Sequence, residues 1–289
     1  MPDPIVEAAP AKVNLTLRVL GRRSDGYHEI ESLVAFARCG DTLRFSPGGE
    51  LALTVHGPSA ALAGENADNL VLKAARALAA RIPVGLGAYH LEKSLPVAAG
   101  LGGGSSDAAA ALRLLARANQ LPLDDPMLYA AARETGADVP VCIDPRARLM
   151  RGIGDVLSKP LELLPLQAVL VNPGAALATK AVFAAWRPHA VLPIPIDTGE
   201  VARMTTRKQV VAFLIQQRND LETAAVGLAP VVADVLAALR GLPGCALARM
   251  SGSGSTCFAV FSSAAEAITG AEALHAKYPA WWVRATALN

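Results

Sequence analysis

The sequence predicts an α+β fold in two domains, and three observations carry the prediction. At 289 residues the chain is about twice the ~150 residues of a common domain, long enough to bury a core without disulfide or metal staples. Hydrophobic residues make up 52% of it but aromatics only 4%. The difference is largely alanine, concentrated in stretches such as Ala74–Ala80 and Ala108–Ala118, and alanine predicts closely packed helices rather than an all-β chain. Strand-like and helix-like segments are mixed without a strict βαβ repeat, which selects α+β over a doubly wound sheet.

Taken in order, Val13–Leu20 alternates in the strand manner, Gly21–Gly26 is a polar turn and Ile30–Arg38 a second strand. Thr42–Phe45 and Leu51–Val55 are predicted to pair as a hairpin across Pro47-Gly48-Gly49. Asn69 or Asp68 caps a helix over Leu70–Arg81. A short strand at Tyr89–Lys93 leads through a glycine-rich loop into a helix at Ala108–Asn119, and Pro126–Glu134 forms another, ending near Gly136. Strand-like pieces flank Gly152-Ile153-Gly154. After Lys159-Pro160 the pattern starts again, dividing the chain into domains at 1–158 and 159–289. Gln167–Val171 is a strand, Lys180–Trp186 a short helix and the proline-rich Pro188–Thr198 a loop. Helices follow at Val201–Thr206, Lys208–Gln217 and Ala229–Leu239. Strands at 246–250 and 256–261 are joined through Ser251-Gly252-Ser253-Gly254-Ser255, before a helix at Ala264–Tyr278 and a last strand at Trp282–Ala285.

Composition also excludes classes of partner. Lys+Arg total 27 against 25 Asp+Glu, a formal charge of +2, and no basic block marks a nucleic-acid binder. No window approaches ~18 clean apolar residues; the least charged, Leu163–Thr179, is broken by Pro165, Gln167, Asn172 and Pro173. Met1-Pro2-Asp3-Pro4 lacks the basic and then apolar regions of a secretory leader. Cys39, Cys142, Cys245 and Cys257 contain no C-x-x-C pair and are expected to be reduced thiols, neither zinc ligands nor a disulfide framework. The expectation is a cytoplasmic protein with no membrane or nucleic-acid partner and no metal-ligating set of its own.

The strongest chemical feature is Gly100-Leu101-Gly102-Gly103-Gly104-Ser105-Ser106-Asp107, between a strand and a helix. Consecutive glycines let backbone N–H groups approach a ligand closely, and the helix adds its unbonded N-terminal amides and the positive end of its dipole. Together they make a phosphate site, to which the hydroxyls of Ser105 and Ser106 can add bonds to phosphate or metal. A P-loop is excluded because no Lys follows the glycines, and the dinucleotide fingerprint because Ser105 stands where its third glycine belongs. A plain helix cap needs one such residue, not four glycines in five. Three other places are singled out, and position alone gives each an ordinary reading. Asp138, in Gly136-Ala137-Asp138-Val139-Pro140 before an apolar strand, reads as a helix-end turn residue. Lys12 reads as a solvated strand lysine, and Tyr27-His28 as a hairpin edge.

Three segments in order resemble the GHMP kinase superfamily: Pro10-Ala11-Lys12-Val13-Asn14, Pro96–Ser106 and Gly252-Ser253-Gly254. Three more, Arg23-Ser24-Asp25-Gly26-Tyr27-His28-Glu29, Asp68-Asn69-Leu70 and Gly136–Pro140, resemble the branch acting on a cytidine-diphosphate-linked methylerythritol in the non-mevalonate isoprenoid (terpenoid) route. The likeness runs from about residue 8 to about 285 and is thin across 186–245.

The resemblance implies an N-terminal ribosomal protein S5 domain 2-like domain and a C-terminal ferredoxin-like domain, with the active site in the cleft between them. It implies transfer of the γ-phosphoryl of ATP to the 2-hydroxyl of that acceptor, with Asp138 as base and Lys12 as its partner. Pro96, Val97, Ala98, Ala99, Gly100, Leu101, Gly102, Gly103, Gly104, Ser105 and Ser106 would cradle ATP, with Asn69 and Lys93 on its adenine side. Asn14 would orient the acceptor, Tyr27 and Phe183 would stack on cytosine, His28 would read its polar edge, and Thr179 would face the cleft. Mg2+ would arrive with ATP, and the protein would be a monomer or homodimer. Ala98-Ala99 depart from the further glycines of many relatives, which stiffens the loop. Asp107 is expected as N-cap of the following helix, ahead of a role as magnesium partner. The other readings are a GHMP kinase for homoserine, a mevalonate-like acid or a sugar, and a nucleotide-binding regulatory protein without catalysis.

Overall fold

In chain order the strands and helices are β1 (Ile5–Asn14), β2 (Arg18–Arg22), β3 (His28–Pro47), β4 (Ala52–His56), α1 (Leu70–Ala79), β5 (Gly87–Glu92), α2 (Gly103–Ala118), α3 (Pro126–Thr135) and α4 (Val139–Ile143). Then come β6 (Arg148–Gly152), β7 (Val156–Leu157), β8 (Leu166–Asn172), α5 (Thr179–Ala185), α6 (Thr198–Ala202), α7 (Arg207–Ile215), α8 (Glu222–Leu228), α9 (Val231–Arg240), β9 (Cys245–Met250), β10 (Cys257–Phe261), α10 (Ala264–Lys277) and β11 (Trp282–Leu288). This computed structural model describes residues 4–63, 68–188 and 195–289. Most of the loop expected at Pro188–Thr198 therefore lies outside the described residues, as do Met1, Pro2 and Asp3.

Two compact units share the chain in interleaved segments. The first takes Met1–Lys12, Gly40–Val97 and Gly102–Pro145, the second Val13–Cys39, Ala98–Leu101 and Arg146–Asn289. In the first unit β5 lies between β3, its antiparallel partner, and β4, its parallel partner, with Thr42 opposite Glu92 and Ala52 opposite Ala88. Here the structure corrects the expected hairpin: β3 and β4 each bond to β5. Pro47-Gly48-Gly49 turns the chain, but a turn signal does not say which strand takes the vacated edge. Helices α1, α2 and α3 pack together, and α4 packs on α2. The run Ala108–Ala111 is wholly buried, as are Ala74 and Ala75 of α1, so small side chains let these helices approach closely. Phe45 and Tyr89 fill the sheet side of the core with ring centroids 4.7 Å apart.

The second unit contains a four-stranded antiparallel sheet in the order β11-β8-β10-β9, with Ala259 of β10 opposite Val169 on one side and Ala248 on the other. Numbered from β8, that order is 4-1-3-2, the ferredoxin-like arrangement. Helices α9 and α10 pack on it, burying Val232, Val235, Leu236 and Leu239 of α9 with Ala267 and Leu274 of α10. Further strands of this unit, β2 and β6, pair with the first part of β3. Two predicted strands, 30–38 and 42–45, are one continuous β3, buried without alternation from Ile30 to Ala37. No helix among the described residues is long and apolar enough to cross a membrane.

Two further corrections concern the site. The apolar run after Asp138 is helix α4, not a strand. Five buried apolar residues do not distinguish the two, and Pro140 fits a helix's first turn. Helix α2 begins at Gly103 rather than Ala108, so the last glycines of the loop form its first turn, where amides lack helical partners in any case.

Candidate active site

Lys12 ends the first unit's share of β1 and is 3% exposed. Its Nζ lies 3.1 Å from Asp138 Oδ2. Asp138 occupies the N-cap position of α4 yet makes no side-chain cap bond. The carboxylate the sequence left open as a turn residue is thus turned towards a buried ammonium. Its own side chain is 37% exposed, so one end of the pair is open to solvent.

The glycine loop sits directly against this lysine. Gly102 has φ +60°, a left-handed conformation that side chains rarely adopt, and an added Cβ would lie 3.0 Å from Lys12 Cε. Gly102 is also the N-cap of the sixteen-residue α2, and with no side chain it supplies no cap, whereas Asn69, Asp125, Thr206 and Ser263 cap α1, α3, α7 and α10. The first amides of α2 therefore keep their capacity for an anion. Ser106 is buried and its hydroxyl donates to Pro10 O at 2.7 Å. Ser105 is half-buried. Asn69 Oδ1 accepts from Val71 N at 3.0 Å, so that side chain serves the helix cap that the sequence predicted.

Lys93 and Asp107 are also placed differently from expectation. Asp107 is not an N-cap but a buried residue of α2, and Lys93 Nζ points inward to it at 2.6 Å and to Asp41 Oδ2 at 2.5 Å. Asp41 Oδ1 accepts the amides of Ser94 and Leu95. Burial pushes the Asp107 carboxyl up to about 7, a shift that Lys93 opposes and Asp41 adds to. Burial pulls Lys93 down, but the two carboxylates outweigh it and hold the ammonium above its ordinary value. Among the described residues no group of three or more His, Cys, Asp or Glu is placed to hold a metal ion. Burial pushes the Cys142 thiol up to about 12, leaving it a poor nucleophile at neutral pH.

In the second unit the loop's other half is anchored by the Ser251–Ser255 turn. Gly100 has φ +75°, and a Cβ there would meet Ser251 O at 2.4 Å. Ser251 Oγ donates to Gly100 O and accepts from Asn14 N, while Thr256 N donates to Ala99 O. Asn14 is 4% exposed and its Nδ2 donates to Ser32 Oγ at 2.7 Å. Asn219 Nδ2 holds the turn through Met250 O and Gly252 O. Thr179 Oγ1 is 3.0 Å from Ser253 Oγ. His28 and Phe183 come together with ring centroids 4.9 Å apart, and Trp186 stands edge-on to His28 at 5.8 Å. Tyr27 is not part of that group; it is 60% exposed. Burial, with a smaller push from Arg22, holds His28 below the usual imidazole value, so at neutral pH its ring has one donor and one acceptor.

Sequence reasoning missed Asp41, Ser251 and Trp186. Asp41 fell between the two predicted strands and carried no sign of its own, whereas Trp186 carried one, an aromatic one turn after Phe183 where aromatics are scarce. Ser251 carried none beyond adjoining a glycine motif.

The family model of the GHMP kinase N-terminal domain matches residues 69–144 and that of the C-terminal domain matches 208–280. The chain is 55% identical to 4-diphosphocytidyl-2-C-methyl-D-erythritol kinase of Methylobacterium radiotolerans, over 99% of each chain. It is 56% identical to the protein of that name from Xanthobacter autotrophicus, over 97% of this chain and 98% of the other. A crystal structure of 4-(cytidine 5'-diphospho)-2C-methyl-D-erythritol kinase superposes with a TM-score of 0.80 at 35% identity, over 99% of both chains. Homoserine kinase from Cytophaga hutchinsonii shares the fold, with a TM-score of 0.70 at 21% identity over 99% of this chain and 95% of that one.

Proposed function

Because the chain belongs to the 4-diphosphocytidyl-2-C-methyl-D-erythritol kinase family, we propose that Asp138 and Lys12 transfer the γ-phosphoryl of MgATP to the 2-hydroxyl of that acceptor in the non-mevalonate route. The observation that carries this reading is the contact of a buried Lys12 with both Asp138 and the uncapped glycine start of α2.

The chemistry follows from the residue types. An alcohol is a very weak acid, so Asp138 takes its proton as the new oxygen–phosphorus bond forms and not beforehand. The bond from the γ-phosphorus to the β,γ-bridging oxygen breaks, and ADP leaves with that electron pair. Lys12 orients Asp138 through their ion pair and stabilises charge on the attacking oxygen, while the amides at the start of α2 hold phosphate oxygens. Mg2+ enters as part of the nucleotide substrate, held mainly by phosphates and water. His28 and Phe183 supply the base site, the ring by contact and the imidazole by hydrogen bonds that distinguish pyrimidines. The free thiols of Cys142, Cys245 and Cys257 suit a reducing compartment, and we place the enzyme in the cytoplasm.

The test is turnover of the acceptor with MgATP by wild type and Asp138→Ala. The variant should lose about 10²–10⁴ in kcat, the usual share of a general base, and still bind ATP in calorimetry. Turnover at the wild-type rate would remove Asp138 from the mechanism.

A further inference from the structure

We propose that Asp41, Lys93 and Asp107 are positioning residues that set the shape of the phosphate loop from below, acting on ATP through Gly103 and the start of α2 without touching the nucleotide. The proposal rests on the reading of Gly102–Ser106 as a phosphate site.

The three side chains join three pieces of backbone at one ammonium. Lys93 follows β5, and its amide donates to His56 O at 2.7 Å. Asp41, from β3, takes Lys93 on Oδ2 and the amides of Ser94 and Leu95 on Oδ1, fixing the segment that leads into the loop. Asp107, from α2, takes the same ammonium on Oδ2. Above them lies Gly103, the first residue of α2: a Cβ there would sit 3.1 Å from Lys93 Nζ and 3.7 Å from Asp41 Oδ2. The ion cluster therefore touches the loop on the side its missing side chain would occupy, and shifts there carry directly to the first helical amides.

Stability alone does not account for this arrangement. Asp41, Lys93 and Asp107 are all nearly fully buried, two carboxylates share one ammonium, and Asp107 Oδ1 has no hydrogen-bond partner. Apolar residues of similar volume usually serve a core as well as a buried ion cluster or better. What the charges add is direction: each bond has one geometry, and together they leave the strand end and the helix start one relative placement.

The experiment compares Asp107→Leu, which removes the acceptor, with Asp107→Asn, which keeps one for Lys93. ATP binding is measured by calorimetry and KM for both substrates by steady-state kinetics. Asp107→Leu should weaken ATP by about tenfold or more, as small misplacements of a binding group do, with the acceptor KM unchanged; Asp107→Asn should restore near-normal ATP binding. Unchanged ATP affinity in Asp107→Leu, with only a lower Tm, would overturn the proposal and leave the phosphate site intact. Wild-type protein that fails to bind ATP would overturn both. If Asp107→Leu does not fold, Gly103→Ala replaces it, since its new Cβ presses on Lys93; it should show the same split between ATP and acceptor, and normal ATP affinity would refute the idea.

Discussion

Asp107 shows how a single buried carboxylate reports on its surroundings. Its carboxyl is pushed up to about 7 from an ordinary value of 3.8, chiefly by burial. Between those values the folded protein holds a proton that the unfolded chain has released, so this group's contribution to stability falls as pH rises. Asn has no such proton. Urea unfolding across pH 4–8 should therefore show Asp107→Asn gaining on wild type from about pH 4 to about pH 7 and then holding a constant difference; parallel profiles would show that Asp107 is ionised throughout. At this scale the sequence was informative where a residue's role is local and silent where it depends on distant partners. Asn69 is a helix cap two residues from the amide it accepts, and its neighbours predicted as much. The inward turn of Lys93 depends on Asp41, 52 residues earlier, and no pattern near either residue announces the other. Nor does anything near Tyr27 say that its ring lies outside the His28–Phe183–Trp186 group.

At the scale of elements, the glycine loop is held by geometry more than by burial of side chains. Gly100 combines a left-handed φ with a position where a Cβ would collide with Ser251 O and Gly254 N and O, all of them backbone atoms that cannot swing aside. Gly100→Ala should cost about 1–3 kcal/mol in unfolding free energy and raise the ATP KM more than the acceptor KM, both checked on one preparation. A fully stable variant with normal kinetics would show that the Ser251–Ser255 turn does not hold the loop. Ala98 already tolerates φ +52° in the same loop. Elements with strong periodicity or punctuation, such as α1, α3 and α10, were legible. The β4–β5 pairing and helix α4 were not, because one joins residues 36 apart in the chain, as Ala52 with Ala88, and the other rests on an apolar run too short to have a period.

For the molecule as a whole, a formal charge of only +2 has to serve an enzyme whose two substrates are both polyanions. In the proposed mechanism the backbone amides at the start of α2 answer this, since amides hold phosphate without adding net charge. The ferredoxin-like strand order of the second unit and the α+β content of both agree with the fold class read from sequence. Homoserine kinase has this fold at 21% identity, so the fold itself does not choose the acceptor. Under the proposed function that choice falls to the side chains around His28 and Phe183. The most direct measurement is therefore ADP release with MgATP across four acceptors: 4-diphosphocytidyl-2-C-methyl-D-erythritol, homoserine, mevalonate and galactose. The account predicts that the cytidine-bearing acceptor has the highest kcat/KM by orders of magnitude, because only it engages the base site. Equal or faster turnover of any of the other three would contradict it.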